Sequence, residues 1–194
     1  MILYLHGFRS SPQSFKARLI GERLTALGRG TEYINPQLPA SPREAVALAS
    51  GLAGKFPAGE VTLIGSSLGG YYATWLAEQI GCRAVLLNPA VKPPRDLEKY
   101  VGVTTLYHSN ERFEFRRGYI DELKALEVER ITRPERYFLV AAKGDEVLDW
   151  REMVGHYSGA RQCVIEGSDH GISDFERYLD QVLAFCGVDA KAVD

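Results

Sequence analysis

Serine, aspartate and histidine, the residue types of a nucleophilic triad, each occur in this chain shortly after a run of apolar residues. Ser67 lies in Gly65-Ser66-Ser67-Leu68-Gly69, after the apolar residues 61–64 and before apolar positions at helical spacing. A serine with glycines two positions away, between a strand and a helix, is typical of the nucleophile elbow, a strained turn that lifts the hydroxyl above a sheet. The glycines are needed because side chains there would collide as the strand folds back into the helix. We therefore predict that Ser67, rather than Ser66, is the nucleophile.

A general base and an acid should follow Ser67 in the chain. A serine hydroxyl is a weak nucleophile at neutral pH, so it needs a base within hydrogen-bond reach, and the base needs an acceptor that orients it. In chains that carry this elbow the order is serine, acid, histidine. Asp145 follows the apolar residues 137–142, and His170 follows residues 162–165. These residues are the expected acid and base.

Each of these two assignments has a rival. Asp149 could be the acid, but its position before Trp150 and Glu152 favours a helix cap. His6, His108 and His156 are the other histidines. His156 lies in a helical pattern, and His108 could contact a substrate without acting as the base. His170 alone follows a strand and comes after the acid in the required order.

Two backbone N–H groups are expected to stabilise the oxyanion of an acyl-transfer reaction. One is that of Leu68, in the first turn of the helix after Ser67, where the helix dipole adds positive potential. The other is that of Phe8, because His6-Gly7-Phe8 follows the apolar residues 2–5 in the way an oxyanion loop follows a strand. Taken alone, His6-Gly7 is equally compatible with an ordinary turn at a strand end.

Six short segments predict the sheet that must position these residues. Residues 2–5, 61–64, 84–87, 137–142 and 162–165 are almost continuously apolar, as in strands buried on both faces of a parallel sheet. Residues 31–34 are more polar and suit an edge. Helical patterns alternate with the strands, and Ser41, Asp149 and Ser173 are predicted to cap three helices. The alternation predicts an α/β fold with a mostly parallel six-stranded sheet and helices on both faces.

The interval between the fourth and fifth strands is longer than a crossover needs, which indicates an insertion at about residues 89–130 that could form a small cap. It contains a helical stretch at 120–128 and several aromatic residues. These side chains could line an acyl pocket or cover the sheet as ordinary core. The aromatic residues are Tyr107, Phe113, Phe115 and Tyr119.

Composition limits the function further. The 194 residues, 45% hydrophobic and 25% charged with a net charge of −2, fit one globular domain, residues 1–194. The chain has no basic block of the kind that binds nucleic acid, so no such partner is expected. Three cysteines without a C-x-x-C pair, and no metal or nucleotide motif, predict neither a disulfide framework nor a cofactor. With no signal peptide or membrane span predicted, the cytoplasm is the expected location.

Several longer strings resemble the YqiA-type bacterial esterases, a compact branch of the α/β-hydrolases. The resemblance runs nearly end to end, and its most specific strings are the elbow and the segment around Asp145. It implies Ser67 as nucleophile, Asp145 as acid and His170 as base. It also implies a sheet without the first two antiparallel strands of the superfamily, because residues 2–5 already lead into the oxyanion loop. The resemblance is weakest at about residues 102–117. The strings are Leu3-Tyr4-Leu5-His6-Gly7-Phe8, Pro36-Gln37-Leu38-Pro39, Gly65-Ser66-Ser67-Leu68-Gly69-Gly70-Tyr71-Tyr72-Ala73, Asn88-Pro89-Ala90-Val91, Gly144-Asp145-Glu146-Val147-Leu148-Asp149 and Val164-Ile165-Glu166-Gly167.

The function predicted from these residues and this resemblance is a serine esterase or thioesterase that works through an acyl-enzyme. That family is associated with carboxylic esters and acyl-CoA thioesters, so a small acyl ester or an acyl-CoA is the expected substrate. Two alternatives stay open. The chain could be a binding module of hydrolase shape without activity, or its triad could cleave amides or peptides.

Overall fold

The computed structural model describes residues 1–105 and 112–189 of the chain, so Tyr107 and His108 lie outside the described residues. The strands in chain order are β1 (Ile2–Leu5), β2 (Tyr33–Ile34), β3 (Thr62–Ser66), β4 (Arg83–Leu87), β5 (Gly102–Thr105), β6 (Arg112–Phe115), β7 (Tyr137–Ala142) and β8 (Arg161–Ile165). The helices are α1 (Phe15–Ala26), α2 (Pro42–Ala53), α3 (Leu68–Ile80), α4 (Pro93–Leu97), α5 (Gly118–Ala125), α6 (Trp150–His156) and α7 (Glu176–Phe185).

Six strands form one parallel sheet in the order β2-β1-β3-β4-β7-β8. This confirms the predicted six-stranded sheet, and the short, half-buried β2 lies at its edge as the polar residues 31–34 predicted. Because neighbouring strands run in the same direction, all their carboxyl ends meet at one edge of the sheet. The loops that carry Ser67, Asp145 and His170 begin at that edge.

Helices cover both faces of the sheet, as predicted. Along β1, Ile2 and Tyr4 point to one face and pack among residues of α1 and α7, whereas Leu3 and Leu5 pack among residues of α2 and α3 on the other face. This alternation explains why the strand is continuously apolar: both sets of side chains leave water. In the described part of the chain, no helix is long and apolar enough to cross a membrane.

Two of the three predicted helix caps are confirmed and one is wrong. Ser41 Oγ accepts a hydrogen bond from the N–H of Glu44 at 3.2 Å, and Asp149 accepts one from the N–H of Arg151 at 2.9 Å. Ser173 does not cap α7, which begins after Phe175 without a side-chain cap. A turn from Asp169 to Ile172 holds this segment outside helical geometry, so the helix starts later than the sequence pattern indicated.

The insertion between β4 and β7 contains α4, an antiparallel hairpin of β5 and β6, and α5. The hairpin was not predicted. Its Phe113 and Phe115 rings contact the Phe8 ring with centroid distances of 5.3 and 5.1 Å. Phe115 is 1% exposed and is therefore core, while Tyr100, which precedes the hairpin, packs on Phe8 at 5.5 Å. The insertion thus packs against the loop that follows β1.

The passage from β3 into α3 leaves no room for side chains at its glycines. A Cβ on Gly65 would lie 2.3 Å from the carbonyl oxygen of Gly69, and a Cβ on Gly69 would lie 2.0 Å from that of Leu5. Both neighbours are backbone atoms of the sheet or helix, which cannot move aside cheaply. The two glycines therefore let the helix pass directly over the strand ends.

We expect Gly69→Ala to destabilise the fold by about 3 kcal/mol or more, because the added methyl overpacks a backbone contact. Gly51→Ala is the matched control: Gly51 lies inside α2, and a Cβ there meets nothing within 4 Å. That substitution should be neutral or stabilise by up to about 1 kcal/mol through helix propensity. Urea unfolding measures both, and equal stabilities of the two variants would contradict this explanation of the elbow.

Candidate active site

Ser67 occupies a strained turn at the carboxyl end of β3. Its backbone angles are φ 53° and ψ −120°, which cost a residue with a side chain about 1–3 kcal/mol. Hydrogen bonds hold it there: its N–H donates to the Leu87 carbonyl at 3.0 Å, and its carbonyl accepts from Gly70 at 2.9 Å and from Ala90 at 3.0 Å. The turn places Ser67 directly before α3, with its side chain at the edge of a cavity.

The structure brings Ser67, His170 and Asp145 into one hydrogen-bonded chain. The Ser67 Oγ lies 3.0 Å from His170 Nε2, and His170 Nδ1 lies 2.8 Å from Asp145 Oδ2. Because a carboxylate only accepts hydrogen bonds, the proton of a neutral imidazole belongs on Nδ1. The free Nε2 lone pair then accepts the hydrogen bond of the serine hydroxyl. This arrangement can draw a proton from Ser67.

The Asp145 side chain is fully buried and its other oxygen is also bonded. Oδ1 accepts the N–H groups of Val147 and Leu148, both at 2.8 Å. Three N–H donors stabilise the negative charge of the carboxylate and fix its orientation toward His170. The imidazole, 22% exposed, remains open to the cavity.

The rival residues lie elsewhere. Asp149 caps α6, the role that its sequence position favoured. His156, in α6, packs its ring on Tyr157 with centroids 4.8 Å apart. His108 lies outside the described residues. Of the three described histidines, only His170 is within hydrogen-bond distance of Ser67.

His6 supports the loop after β1 rather than the serine. Its Nε2 accepts the N–H of Leu38 at 3.0 Å, so Nδ1 carries the proton and donates to the Gly7 carbonyl at 3.0 Å. The ring is only 5% exposed, and burial lowers its pKa below the ordinary value of 6.5. His6 is thus a neutral link between this loop and the segment around Leu38.

The two predicted oxyanion donors lie beside the serine. Leu68 is the first residue of α3, so its N–H has no partner within the helix. Phe8 follows Gly7, whose Cα approaches so closely that a Cβ would lie 3.1 Å from Ser67 Cβ. Gly7, Phe8 and Leu68 line the same cavity as Ser67 and His170. Phe8 and Leu68 are therefore both next to the cavity onto which Ser67 opens.

Asn88 and Glu146 were missed by the sequence reasoning, although both hold the histidine loop. Asn88, fully buried after β4, donates from Nδ2 to the carbonyls of Asp169 and His170, each at 3.0 Å, and its Oδ1 accepts the N–H of Ala142 at 2.8 Å. Glu146 accepts the N–H of His170 at 3.0 Å. A polar residue directly after a buried strand was the available signal for Asn88.

The cavity beside the triad has a volume of about 460 Å³, within the range of small-molecule sites. Part of its wall is apolar and comes from Phe8 and the segment after β4. Phe15 and Val147, which are 48% and 58% exposed, also line the cavity. The residues from that segment are Ala90, Pro93, Leu97 and Tyr100. Of the aromatic residues around the insertion, Tyr100 lines the cavity and Phe115 belongs to the core.

Comparison with solved structures assigns the chain to the α/β-hydrolase fold. A protein from Agrobacterium vitis S4 matches with a TM-score of 0.76 and 19% identity, over 95% of this chain and 87% of that one. The mouse α/β-hydrolase domain-containing protein 10 matches at 0.70 and 17% identity, over 94% and 89%. The esterase domain of a Rhodothermus marinus protein matches at 0.67 and 21% identity, over 95% and 85%. At these identities the likeness shows the fold alone.

The sequence also matches a family model. The model described as "Uncharacterised protein family (UPF0227)" covers residues 1–187. The chain therefore belongs to this family, the YqiA family, as the resemblance of its motifs indicated.

We expect Asn88→Asp to lower the free energy of unfolding by about 3 kcal/mol, because it replaces two donors with an acceptor that faces two carbonyls. The shapes of the two side chains match, and both tolerate the φ of 42° at this position. Urea unfolding at neutral pH provides the measurement. Stability within 0.5 kcal/mol of wild type, on the order of a neutral surface change, would contradict the role given to this amide.

The buried neutral His6 predicts a loss of stability in acid. Because its folded-state pKa lies below 6.5, the unfolded chain binds a proton below about pH 6.5 that the folded chain excludes. The free energy of unfolding should therefore fall as the pH decreases from 7 toward 5. His156, whose pKa burial also lowers, contributes in the same direction. His6→Gln should make the decline shallower, whatever its stability at pH 7, and an unchanged slope would count against His6.

Proposed function

We propose that this chain is a serine hydrolase that cleaves carboxylic esters or acyl thioesters through an acyl-enzyme. The observation that carries the proposal is the chain of two hydrogen bonds, 3.0 and 2.8 Å long, from Ser67 through His170 to Asp145. It opens on a cavity large enough for a small acyl compound. A non-catalytic module would have no need for a strained serine aligned with a base and a buried acid.

In the first half-reaction His170 Nε2 takes the proton of Ser67 Oγ while this oxygen attacks the acyl carbonyl. The imidazolium that forms is stabilised by the Asp145 carboxylate. It then donates its proton to the departing alcohol or thiol, which leaves Ser67 acylated. In the second half-reaction a water molecule loses its proton to His170 and attacks the acyl-serine, and collapse of the tetrahedral intermediate returns the proton to Ser67.

The backbone N–H groups of Phe8 and Leu68 are the proposed oxyanion donors. Hydrogen bonds to a developing alkoxide act strongly in a site that excludes water, and removal of one such donor typically costs about 10²–10³ in rate. The N-terminus of α3 adds the positive end of its dipole at the same place. His6 fits this role indirectly, because its hydrogen bonds to Gly7 and Leu38 hold the loop that carries the Phe8 N–H.

The structural neighbours favour ester chemistry, since one of them is an esterase domain. The apolar part of the cavity wall suits an acyl chain. Esters and thioesters have better leaving groups than amides, so they need less assistance from the protein. Ester or thioester cleavage is therefore the reaction that we propose.

Ser67→Ala should abolish reaction with a fluorophosphonate probe and lower kcat for 4-nitrophenyl butyrate by roughly 10⁶-fold, as triad removal does elsewhere. The thermal midpoint should stay close to wild type, because alanine keeps the backbone conformation.

Ser66→Ala is the matched control for this experiment, because the neighbouring serine has the same side chain, whereas the hydroxyl within hydrogen-bond distance of His170 Nε2 is that of Ser67. It should still be labelled, with the adduct located on Ser67 by mass spectrometry. Folded wild-type protein that takes up no probe and hydrolyses no ester would favour the binding module. Hydrolysis of amides alone would favour the peptidase alternative.

A further inference from the structure

A buried ammonium group lines the catalytic cavity without a role in the triad. Lys16, the second residue of α1, is only 7% exposed, and it lines the same cavity as Ser67 and His170. Its Nζ donates to the carbonyl of Gly171, the residue after His170. Burying a charge is costly unless it is paired, so this position needs an explanation.

No carboxylate of the described residues forms an ion pair with this ammonium. The nearest negative charges, Asp169 and Asp145, act on it only through space. The Asp145 carboxylate is already occupied by three N–H groups, and Asp169 Oδ1 accepts the N–H of Ser173 at 3.0 Å. An ammonium has three N–H donors, and the Gly171 carbonyl takes one. Lys16 therefore retains donor capacity beside the cavity.

The start of α1 adds unsatisfied polar groups at the same place. Ser14 stands at the N-cap position, but its side chain caps nothing. Ser14 is in the cavity lining, but its Oγ is buried beside the Tyr4 hydroxyl, so the start of α1 has no side-chain cap. The first N–H groups of a helix also lack internal partners and carry positive potential. A cation at this helix end does not stabilise the helix, and α1 has no acidic residue in its first turn to offset it.

The cavity lining also contains two acidic residues, which lie away from the start of α1 in sequence. Asp96 Oδ1 forms an ion pair with Arg95 at 2.7 Å, while its Oδ2 is buried without a hydrogen-bond partner among the described residues, and Glu146 accepts the N–H of His170. The cavity thus has an apolar wall from the segment after β4 and a polar, positive corner at the start of α1. Burial lowers the pKa of Lys16 to about 8, so most of the ammonium remains protonated at neutral pH. An anionic ligand group would offset the cost of burying this charge.

From this combination we infer that Lys16, at the start of α1, forms a subsite for an anionic oxygen group of the substrate, a carboxylate or a phosphate. The inference rests on the proposed function and narrows it: the preferred substrates are esters or thioesters that carry a negative charge away from the scissile bond. Lys16 binds the charge, and the apolar wall receives the intervening chain. The anionic group can lie on the acyl side or on the leaving group.

Two matched pairs of substrates show whether the anionic group lies on the acyl side or on the leaving group. For the acyl side, 4-nitrophenyl adipate with a free carboxylate is compared with 4-nitrophenyl methyl adipate. For the leaving group, butyryl-CoA is compared with the neutral butyryl-N-acetylcysteamine thioester. Wild type should prefer the charged member of one pair by about tenfold or more in kcat/KM, as expected for one well-placed charged hydrogen bond. The pair that shows the preference identifies where the anion lies.

Lys16→Met keeps the length of the side chain and removes its charge. It should lower kcat/KM for the preferred anionic substrate about tenfold or more, and for its neutral partner less than threefold. Lys16→Arg should restore part of the preference. Lys124→Met, which removes an exposed lysine of α5, controls for the change in net charge and should preserve the preference.

Equal losses for both members of the pair would overturn the subsite and leave Lys16 as a support for the loop of His170. A wild-type enzyme that hydrolyses the neutral substrates and shows no preference in either pair would overturn it as well, while the proposed function survived. Failure to cleave any ester or thioester would overturn both. If Lys16→Met does not fold, inhibition of wild type decides: adipate should compete with the neutral ester at least tenfold better than adipamide, and equal inhibition contradicts the inference.

Discussion

The close backbone contact of α3 with β3 and β1 is the constraint on which the rest of this molecule depends. Strand β3 turns into the helix at Ser67. A Cβ on Gly65 of β3 would lie 2.3 Å from the Gly69 carbonyl oxygen of α3, and a Cβ on Gly69 would lie 2.0 Å from the Leu5 carbonyl oxygen of β1. Only this approach lets the serine stand at the tip with φ 53° while its own N–H and carbonyl remain bonded. The strain is local, and the hydrogen bonds to β4 and its following loop hold it in place.

The candidate triad depends equally on hydrogen bonds that connect loops distant in sequence. Asp145 follows β7 and His170 follows β8, and neighbouring parallel strands bring their carboxyl ends together. Asn88 crosses this edge from β4 and bonds both the end of β7 and the loop of His170. A buried amide side chain stabilises the folded state when all these hydrogen bonds are formed. The same amide with one partner missing would lower the free energy of unfolding. The position of His170 is therefore specified by three adjacent strands rather than by its own loop.

The features of the fold and the candidate site that depend on local sequence patterns could be predicted from the sequence. Ser67, Asp145 and His170 each follow a strand that is apolar on both faces, so their meeting at one edge follows from the parallel sheet. The hairpin of β5 and β6 was not predicted because each strand has only four residues and the exposed Val103, at 68%, gives β5 no apolar pattern. Only residues 112–115 of β6 alternate between polar and aromatic side chains, as a half-buried strand does. The prediction that Ser173 caps α7 was wrong because the hydrogen bonds around Asp169 outweighed the capping-box pattern in the local sequence. Lys16 reads as an ordinary polar helix residue, and only the fold reveals its burial.

Residues with strained backbone conformations lie at the same edge of the sheet as the buried Lys16. All the non-glycine residues with positive φ in the described part of the chain lie in loops that follow strands of the main sheet. They are Arg9, Ser67, Asn88, Ser168 and Ile172. Ile172 is fully buried and β-branched, a residue type that resists this conformation, and it lies two residues beyond His170. These conformations lie around one cavity, next to the Lys16 ammonium, which has no carboxylate partner among the described residues. Each costs stability and persists only because the surrounding structure holds it, and such strain is typical of sites where a ligand must be held in one orientation.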